Sequence, residues 1–329
     1  MIKVVQFGLG PIGQQLTRFL SERSGVKIVA AIDPDPNKAG KDIGELCGLG
    51  KLGVNISPSL SSAIKIGDAD VAVISTVSSL EKIESQIRDA ADYNLHVVST
   101  CEEMSYPSSL QPACAKRIHD YCEQKGVVCI GTGVNPGFLM DYLPAVFTSI
   151  CRRVDHVQVE RYQNATYRRI PFQQKIGVNL TGQEFSDKGD ALKHVGLPES
   201  VYMIASTLNW KLDKVDEVIE PVFANGDTKS GDRVIPEGKA LGLHQTAKGY
   251  VNGKEVISLI FHAAIGVESS HDTIEIKGEP GFRSTVPGGI NGDVATSAII
   301  VNAIKSVSKM KPGFRTMLDA PVPSWFAEA

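Results

Sequence analysis

Two short segments hold residue types that could do chemistry. The first is Gly8-Leu9-Gly10-Pro11-Ile12-Gly13, three glycines spaced G-x-G-x-x-G. Between a strand and a helix this spacing cradles a dinucleotide. Gly8 turns the chain tightly, Gly10 lets the backbone approach a pyrophosphate, and Gly13 lets the helix pack close to the strand. Pro11 and Ile12 open that helix, whose unpaired N–H groups then face the phosphates. With no ligand the same glycines would only form a tight turn. The second segment is Ser99-Thr100-Cys101-Glu102-Glu103-Met104-Ser105-Tyr106-Pro107. A carboxylate beside a reacting carbon can take a proton from an ammonium, protonate a departing hydroxyl and stabilise a cationic iminium. Working near neutral pH requires its pKa to rise from about 4.3, through burial in an apolar pocket. Adjacent side chains point different ways, so at most one of Glu102 and Glu103 faces a substrate. The other suits the first turn of a helix.

The elements that must position these groups follow from the apolar pattern. Short apolar runs at 4–7, 26–32, 71–75, 96–99 and 127–130 alternate with helix-length stretches at 11–22, 80–93 and 110–125. Buried runs alternating with helices predict a doubly wound parallel sheet over residues 1–132, a Rossmann domain of the α/β class. Asp33 ends the second strand and can accept hydrogen bonds from the adenosine ribose, which favours NAD. Lys38 and Lys41 stand close enough to leave NADP open. Ser75 and Thr76 end the third core run at the carboxyl edge, where ligands bind; strand termination alone would also explain them. The pattern then changes to longer alternating runs at 154–161, 254–264 and 272–277. These predict a second, α+β domain with an open mixed sheet over 133–296. A helix is expected over 292–307, with the segment 297–329 packing back on the first domain.

Net charge is −3 over 329 residues. It supplies no electrostatic reason to bind nucleic acid or an anionic membrane. No apolar run is long enough to span a bilayer, and the first residues read as a strand rather than a signal peptide. The six cysteines show no metal-ligand spacing, so no metal site is expected and a reducing, cytoplasmic setting is.

In sugar and inositol dehydrogenases of this domain plan, the segment after the same strand resembles Glu-Lys-Pro, and its lysine assists proton removal from an alcohol. Here an acid stands in the lysine's place, which suits amine chemistry better. The chain as a whole resembles the family of 2,4-diaminopentanoate dehydrogenases and native amine dehydrogenases, relatives of dihydrodipicolinate reductase. The resemblance rests on Gly8–Gly13, on Thr100-Cys101-Glu102-Glu103 and on Gly133-Val134-Asn135-Pro136-Gly137-Phe138. It continues through Arg168-Arg169-Ile170-Pro171, Gly242-Leu243-His244-Gln245, Pro287 to Thr296, and Pro312 to Asp319. It implies reversible oxidative deamination of small amines, with ammonia and a carbonyl as the other partners. It also implies Glu102 as the acid/base, and a second domain that closes over the nicotinamide and mediates a homodimer. Dihydrodipicolinate reductase has a His-His pair and a lysine in its second domain. The stretch 155–169 here has His156 alone and no lysine, which argues against that activity.

The remaining candidates carry alternatives. Asn135 could contact the nicotinamide amide, or its turn could be a hinge. Val134, Phe138, Tyr162, Tyr167 and Thr296 are expected at a substrate pocket; Tyr162 and Tyr167 would wall it, or would be ordinary core aromatics. Arg168 or Arg169 could bind a substrate carboxylate, as a diaminopentanoate enzyme needs. His244 and His262 are read as structural. Two rival functions remain, an alcohol or sugar dehydrogenase and a nucleotide sensor without turnover.

Overall fold

The computed structural model describes residues 1–192 and 196–326. Among the described residues fourteen strands precede the last helix: β1 (Ile2–Phe7), β2 (Val26–Ile32), β3 (Ile56–Ser57), β4 (Val71–Ile74), β5 (His96–Ser99), β6 (Val128–Gly131), β7 (Arg153–Asn164), β8 (Lys214–Phe223), β9 (Thr228–Ser230), β10 (Arg233–Ile235), β11 (Ala240–Val251), β12 (Lys254–Ala264), β13 (His271–Glu279) and β14 (Phe282–Pro287). The helix Gly292–Val307 and β15 (Gly313–Arg315) follow.

The chain forms two compact units, Met1–Phe138 with Asn291–Ala329, and Leu139–Ile290. Residues 327–329 lie outside the described residues. The cuts fall at 138/139 and 290/291, where the sequence alone placed them at 132/133 and 296/297. Two local bonds account for this. The Val134 N–H donates to the Thr296 hydroxyl at 3.2 Å, tying the turn after β6 to the last long helix. That helix starts earlier than 297 because the Asn291 side chain accepts from the N–H groups of Asp293 and Val294.

The first unit is a seven-stranded sheet in the order β15-β6-β5-β4-β1-β2-β3. Its pairs are parallel throughout. The order reverses at β1, between β2 and β4, and such a switch point opens a crevice at the carboxyl ends of the strands. The helices are built for this sheet. In Leu80–Asp92 the buried residues Leu80, Ile83, Ile87, Ala90 and Ala91 share one face. They join Val5, Ile74, Val97, Ile118 and Cys129 in one core. Each large side chain so buried contributes roughly 1.5–3 kcal/mol relative to exposure. The helices Pro11–Ser21 and Pro112–Lys125 begin on proline, where no N–H is needed, and the second ends on Gly126 at φ 70°. The short β15 adds to β6 in parallel, so the tail after Pro312 is part of this sheet.

The second unit holds a six-stranded sheet in the order β14-β13-β7-β12-β11-β8 and a separate β9–β10 ribbon. Only the β7–β12 pair is parallel in the large sheet. The class is therefore α/β, a Rossmann unit with a mixed-sheet second unit.

Candidate active site

The glycine loop leaves β1 at the switch point. An alanine Cβ at Gly13 would sit 1.9 Å from the Gly8 carbonyl oxygen, and one at Gly8, whose φ is +81°, would sit 2.8 Å from the Ser75 carbonyl oxygen. These two glycines are needed by the fold itself. At Gly10 a Cβ would meet nothing within 4 Å. Gly10 thus borders open space at the N-terminus of Pro11–Ser21, where it is the residue preceding the first turn. A pyrophosphate fits here, held by the N–H groups of a helix end that has no acidic residue in its first turn.

Asp33 stands at the end of β2 and is 6% exposed. Its Oδ2 accepts from the Leu9 N–H at 2.8 Å and from Lys38 Nζ at 2.9 Å. Its Oδ1 accepts from the Asp35 N–H at 3.0 Å. Burial alone would raise its pKa, but the Lys38 hydrogen bond and charge, with the two N–H donors, hold the carboxyl below its usual value. One carboxylate therefore ties the glycine loop to the end of β2. Ser75 follows β4 directly, beside the glycine loop. Its hydroxyl donates toward the Phe7 and Gly8 carbonyls and accepts from Gln6, so it braces the glycine loop. The Thr76 hydroxyl donates to Gln86 at 2.8 Å.

The acidic pair follows β5 at the same edge, in the single turn Glu102–Met104. The turn is anchored at both ends. The Cys101 N–H donates to the Ser99 hydroxyl, which itself donates to the Ile74 carbonyl. Gly131, the last residue of β6, lies so close that a Cβ there would be 2.2 Å from the Met104 Cβ. Glu103 Oε2 accepts from the Leu80 N–H and from Gln111 Nε2, both at 2.7 Å, and so caps the helix Leu80–Asp92 from outside it. Glu102 is half-buried. The neighbouring Cys101 thiol is pushed well up, by burial first and by the Glu102 charge second.

The turn after β6 carries Val134 and Asn135, both buried, and the half-buried Phe138. Gly137, at φ +117°, packs against the backbone of Thr132 and Gly133. With Thr296 bonded to Val134, these candidates belong to the first unit.

In the second unit the aromatic pair expected to wall one pocket is split. Tyr162 lies on β7 and stacks between His262 at 5.0 Å and His271 at 4.7 Å, its neighbours on β12 and β13. Tyr167 is 91% exposed. It lies beyond the strand, in the turn that follows β7. The Arg168 guanidinium stacks over the Phe172 ring at 4.1 Å. His244 and His262 are not isolated: they face each other across β11 and β12, with Nδ1 atoms 3.3 Å apart. Sequence reasoning missed Arg161. It is 2% exposed, donates to the Ile290 carbonyl and lies 3.6 Å from Asp272. Burial pushes its guanidinium down to about 10 and the Asp272 carboxyl up. Among the described residues no group of three or more His, Cys, Asp or Glu could hold a metal ion. No described helix is long and apolar enough to cross a membrane.

Comparison with known proteins adds to this geometry. Residues 138–329 match the family model described as 2,4-diaminopentanoate dehydrogenase C-terminal domain, and residues 2–104 match dihydrodipicolinate reductase, N-terminus. The chain is 29% identical to the 2,4-diaminopentanoate dehydrogenase of Acetoanaerobium sticklandii, over 98% of this chain and 94% of that one. It is 48% identical to the 4-hydroxy-tetrahydrodipicolinate reductase of Methanococcus vannielii, but over 22% of this chain and 28% of that one. The solved amine dehydrogenase from Mycobacterium smegmatis superposes with a TM-score of 0.88 at 22% identity, over 99% of this chain and 97% of that one.

Proposed function

The chain belongs to the family defined by the 2,4-diaminopentanoate dehydrogenase C-terminal domain, and on that premise we propose that it runs reversible oxidative deamination of small amines with Glu102 as acid/base. It is a nicotinamide-dependent oxidoreductase acting on small molecules. The observation that carries the residue assignment is the place of Glu102, half-buried in the turn that follows β5 at the carboxyl edge of the sheet.

The bound nicotinamide supplies or accepts the hydride. Gly8, Gly10, Pro11, Ile12 and Gly13 would hold its pyrophosphate, Asp33 its adenosine ribose, and Thr76 and Asn135 further contacts along the same edge. In the amination direction Glu102 takes one proton from ammonium, and the freed ammonia adds to the substrate carbonyl. The protonated Glu102 then returns that proton to the hydroxyl of the carbinolamine, which departs as water. The carboxylate so regenerated lies against the cationic iminium and stabilises it by charge.

Asp33 makes NAD the preferred cofactor, because a carboxylate accepts from a ribose hydroxyl and repels a 2′-phosphate. The substrates are small aliphatic carbonyl compounds and their amines, with ammonia as co-substrate, and the assembly is a homodimer. The described cysteines are all free, in keeping with a reducing cytoplasm. The stacked Arg168 favours a second reading, in which the substrate carries a carboxylate, as 2,4-diaminopentanoate does.

The test is Glu102→Gln assayed with short amines, 2,4-diaminopentanoate and matched alcohols. The expected result is a fall in amine turnover of about 10²–10⁴, with NADH affinity unchanged. Full amine activity in the variant, or equal losses on amines and alcohols, would overturn the assignment.

A further inference from the structure

We propose that a cleft in the first unit, beside β15, is a second small-molecule site that takes a monocarboxylate with an apolar body. The cleft has a volume of about 300 Å³ and lies between the helix Pro112–Lys125 and β15. That is the size of the smaller ligand pockets. The strand order places β15 three strands away from β1 and its glycine loop. Pro107, Pro112, Ala115 and Phe314 supply apolar walls. Lys116 and His119 bring polar groups to the same cleft, since 112, 115, 116 and 119 share one helix face.

The imidazole is fixed in place. The Phe314 N–H donates to His119 Nδ1 at 3.2 Å. The ring lies against Gly313, at φ +114°, where a Cβ would be 2.7 Å from its Cε1. With Nδ1 accepting, the ring carries its proton on Nε2, and Nε2–H is the donor it offers to the cleft. The same bond occupies the Phe314 N–H, so an extended peptide adding to β15 could not use it, and the cleft suits a small molecule instead. Lys116 Nζ holds Asp120 at 2.7 Å, with side chains 74% and 55% exposed. A pair so exposed contributes little, so the ammonium can turn to a second carboxylate on its flexible stem. Asp120 also lines the cleft and repels anions, which favours a ligand with a single negative charge. Pro107 adds a link to the acidic turn. Its carbonyl accepts from the Leu110 and Gln111 N–H groups, and Gln111 Nε2 donates to Glu103. A bound carboxylate therefore rests on the segment that braces that turn.

The experiment is calorimetric titration of benzoate, benzamide and acetate into the full chain, with and without excess NADH and with no amine or carbonyl substrate. Parallel titrations use Lys116→Met, Lys116→Arg and Asp120→Asn, all at exposed positions. Benzoate is expected to bind saturably with a Kd of about 1 mM, whether or not NADH is present. Benzamide lacks the charge and acetate lacks the apolar body, and each binds roughly tenfold more weakly. Lys116→Met weakens benzoate about fivefold, and Lys116→Arg retains it. Asp120→Asn tightens it, because the ammonium is released and a repelling charge is removed. Absence of saturable benzoate binding, its displacement by NADH, equal binding of benzamide, or an affinity unchanged in Lys116→Met would each overturn the proposal. No turnover is read, so the result stands apart from the amine chemistry.

Discussion

The glycine loop allows folding and nucleotide binding to be separated with two substitutions of the same kind. In Gly13→Ala the new Cβ would lie 1.9 Å from the Gly8 carbonyl oxygen, whereas real Cβ contacts essentially never fall under 3.0 Å. Backbone must move by about 1 Å, and the obstructing residue is itself fixed between β1 and the Ser75 hydroxyl. Overpacking of this kind costs typically 1–3 kcal/mol, and a rigid opponent places this case near the top, about 3 kcal/mol. For a unit of this size that is a fall in Tm of roughly 6–12 °C. Gly10→Ala meets nothing within 4 Å, and its φ of −69° is ordinary for alanine. The loss at a helix cap is then about 0.5 kcal/mol, or a Tm change of roughly 2 °C. The added methyl instead occupies the space through which a pyrophosphate approaches, so NADH affinity falls tenfold or more, about 1.4 kcal/mol. Thermal unfolding without nucleotide and an NADH titration read the two effects separately. The reasoning fails if Gly10→Ala unfolds as early as Gly13→Ala, or if its NADH Kd stays within about twofold of the parent.

Three further substitutions test the surroundings. Glu103→Ala removes the acceptor for Leu80 N–H and Gln111, and a loss of about 1–2 kcal/mol is expected in urea unfolding; an unchanged midpoint would refute the capping role. Gly131→Ala would bring a Cβ within 2.2 Å of Met104 and displace the turn that carries Glu102. Turnover should drop by about 100-fold, the usual effect of a displacement near 1 Å at a reacting group, and full kcat would refute it. Glu84 joins two helices by accepting from Arg88 and Arg117, and chiefly the Arg117 hydrogen bond, against burial, lowers its carboxyl from 4.5 to about 2. A folded pKa below the unfolded one stabilises above pH 4.5 and loses that contribution as pH falls toward 2. Because the two guanidiniums are 53% and 35% exposed, the contribution is about 1–2 kcal/mol rather than the full shift. The stability gap between the parent and Glu84→Gln should therefore narrow below pH 4.5, and a gap independent of pH would contradict the pairing.

The first unit was legible because its signals are local. G-x-G-x-x-G needs only the strand before it and the helix after it, and Asp33 is read from the end of the next strand. The helix Gly292–Val307 and the strand Lys254–Ala264 stand where the pattern put them. Strand β11 left little trace, since its inward face is small: Ala240, Gly242, Ala247 and Gly249 are buried beside Leu243 and Gln245. Strand β8 carries Pro221 and four acidic or basic residues before it, KVDEVIEPVF, so it lacks the apolar run of a core strand. Tyr162 and Tyr167 looked equivalent because each is an aromatic near the same motif, yet one ends in a stack of rings and the other in solvent. The strand stops at Asn164, whose side chain accepts from the Thr166 N–H and turns the chain.

The acidic pair shows most clearly what residue type cannot decide. Glu102 and Glu103 are chemically the same, and both sit in the first turn after β5. The task of Glu103 is set by groups far away in the chain. The Leu80 N–H is one of the unsatisfied donors at a helix start and needs an acceptor; its own preceding residue, Ser79, makes no side-chain cap. Glu103 answers that need, and in doing so fixes the orientation of the whole turn. Gly131 contributes by having no side chain, since any larger residue would lift Met104 and with it the acid two positions earlier. A lysine at Glu103, as in the sugar dehydrogenase pattern, could not accept from Leu80. The exchange of lysine for acid is thus two changes at once. It removes an ammonium from the carboxyl edge, which suits the proposed amine chemistry, and it supplies the helix with its missing cap. Glu103→Lys reverses both at once: loss of amine turnover together with the helix cap is expected, and amine turnover that survives loss of the cap would place the catalytic selectivity elsewhere than in this turn.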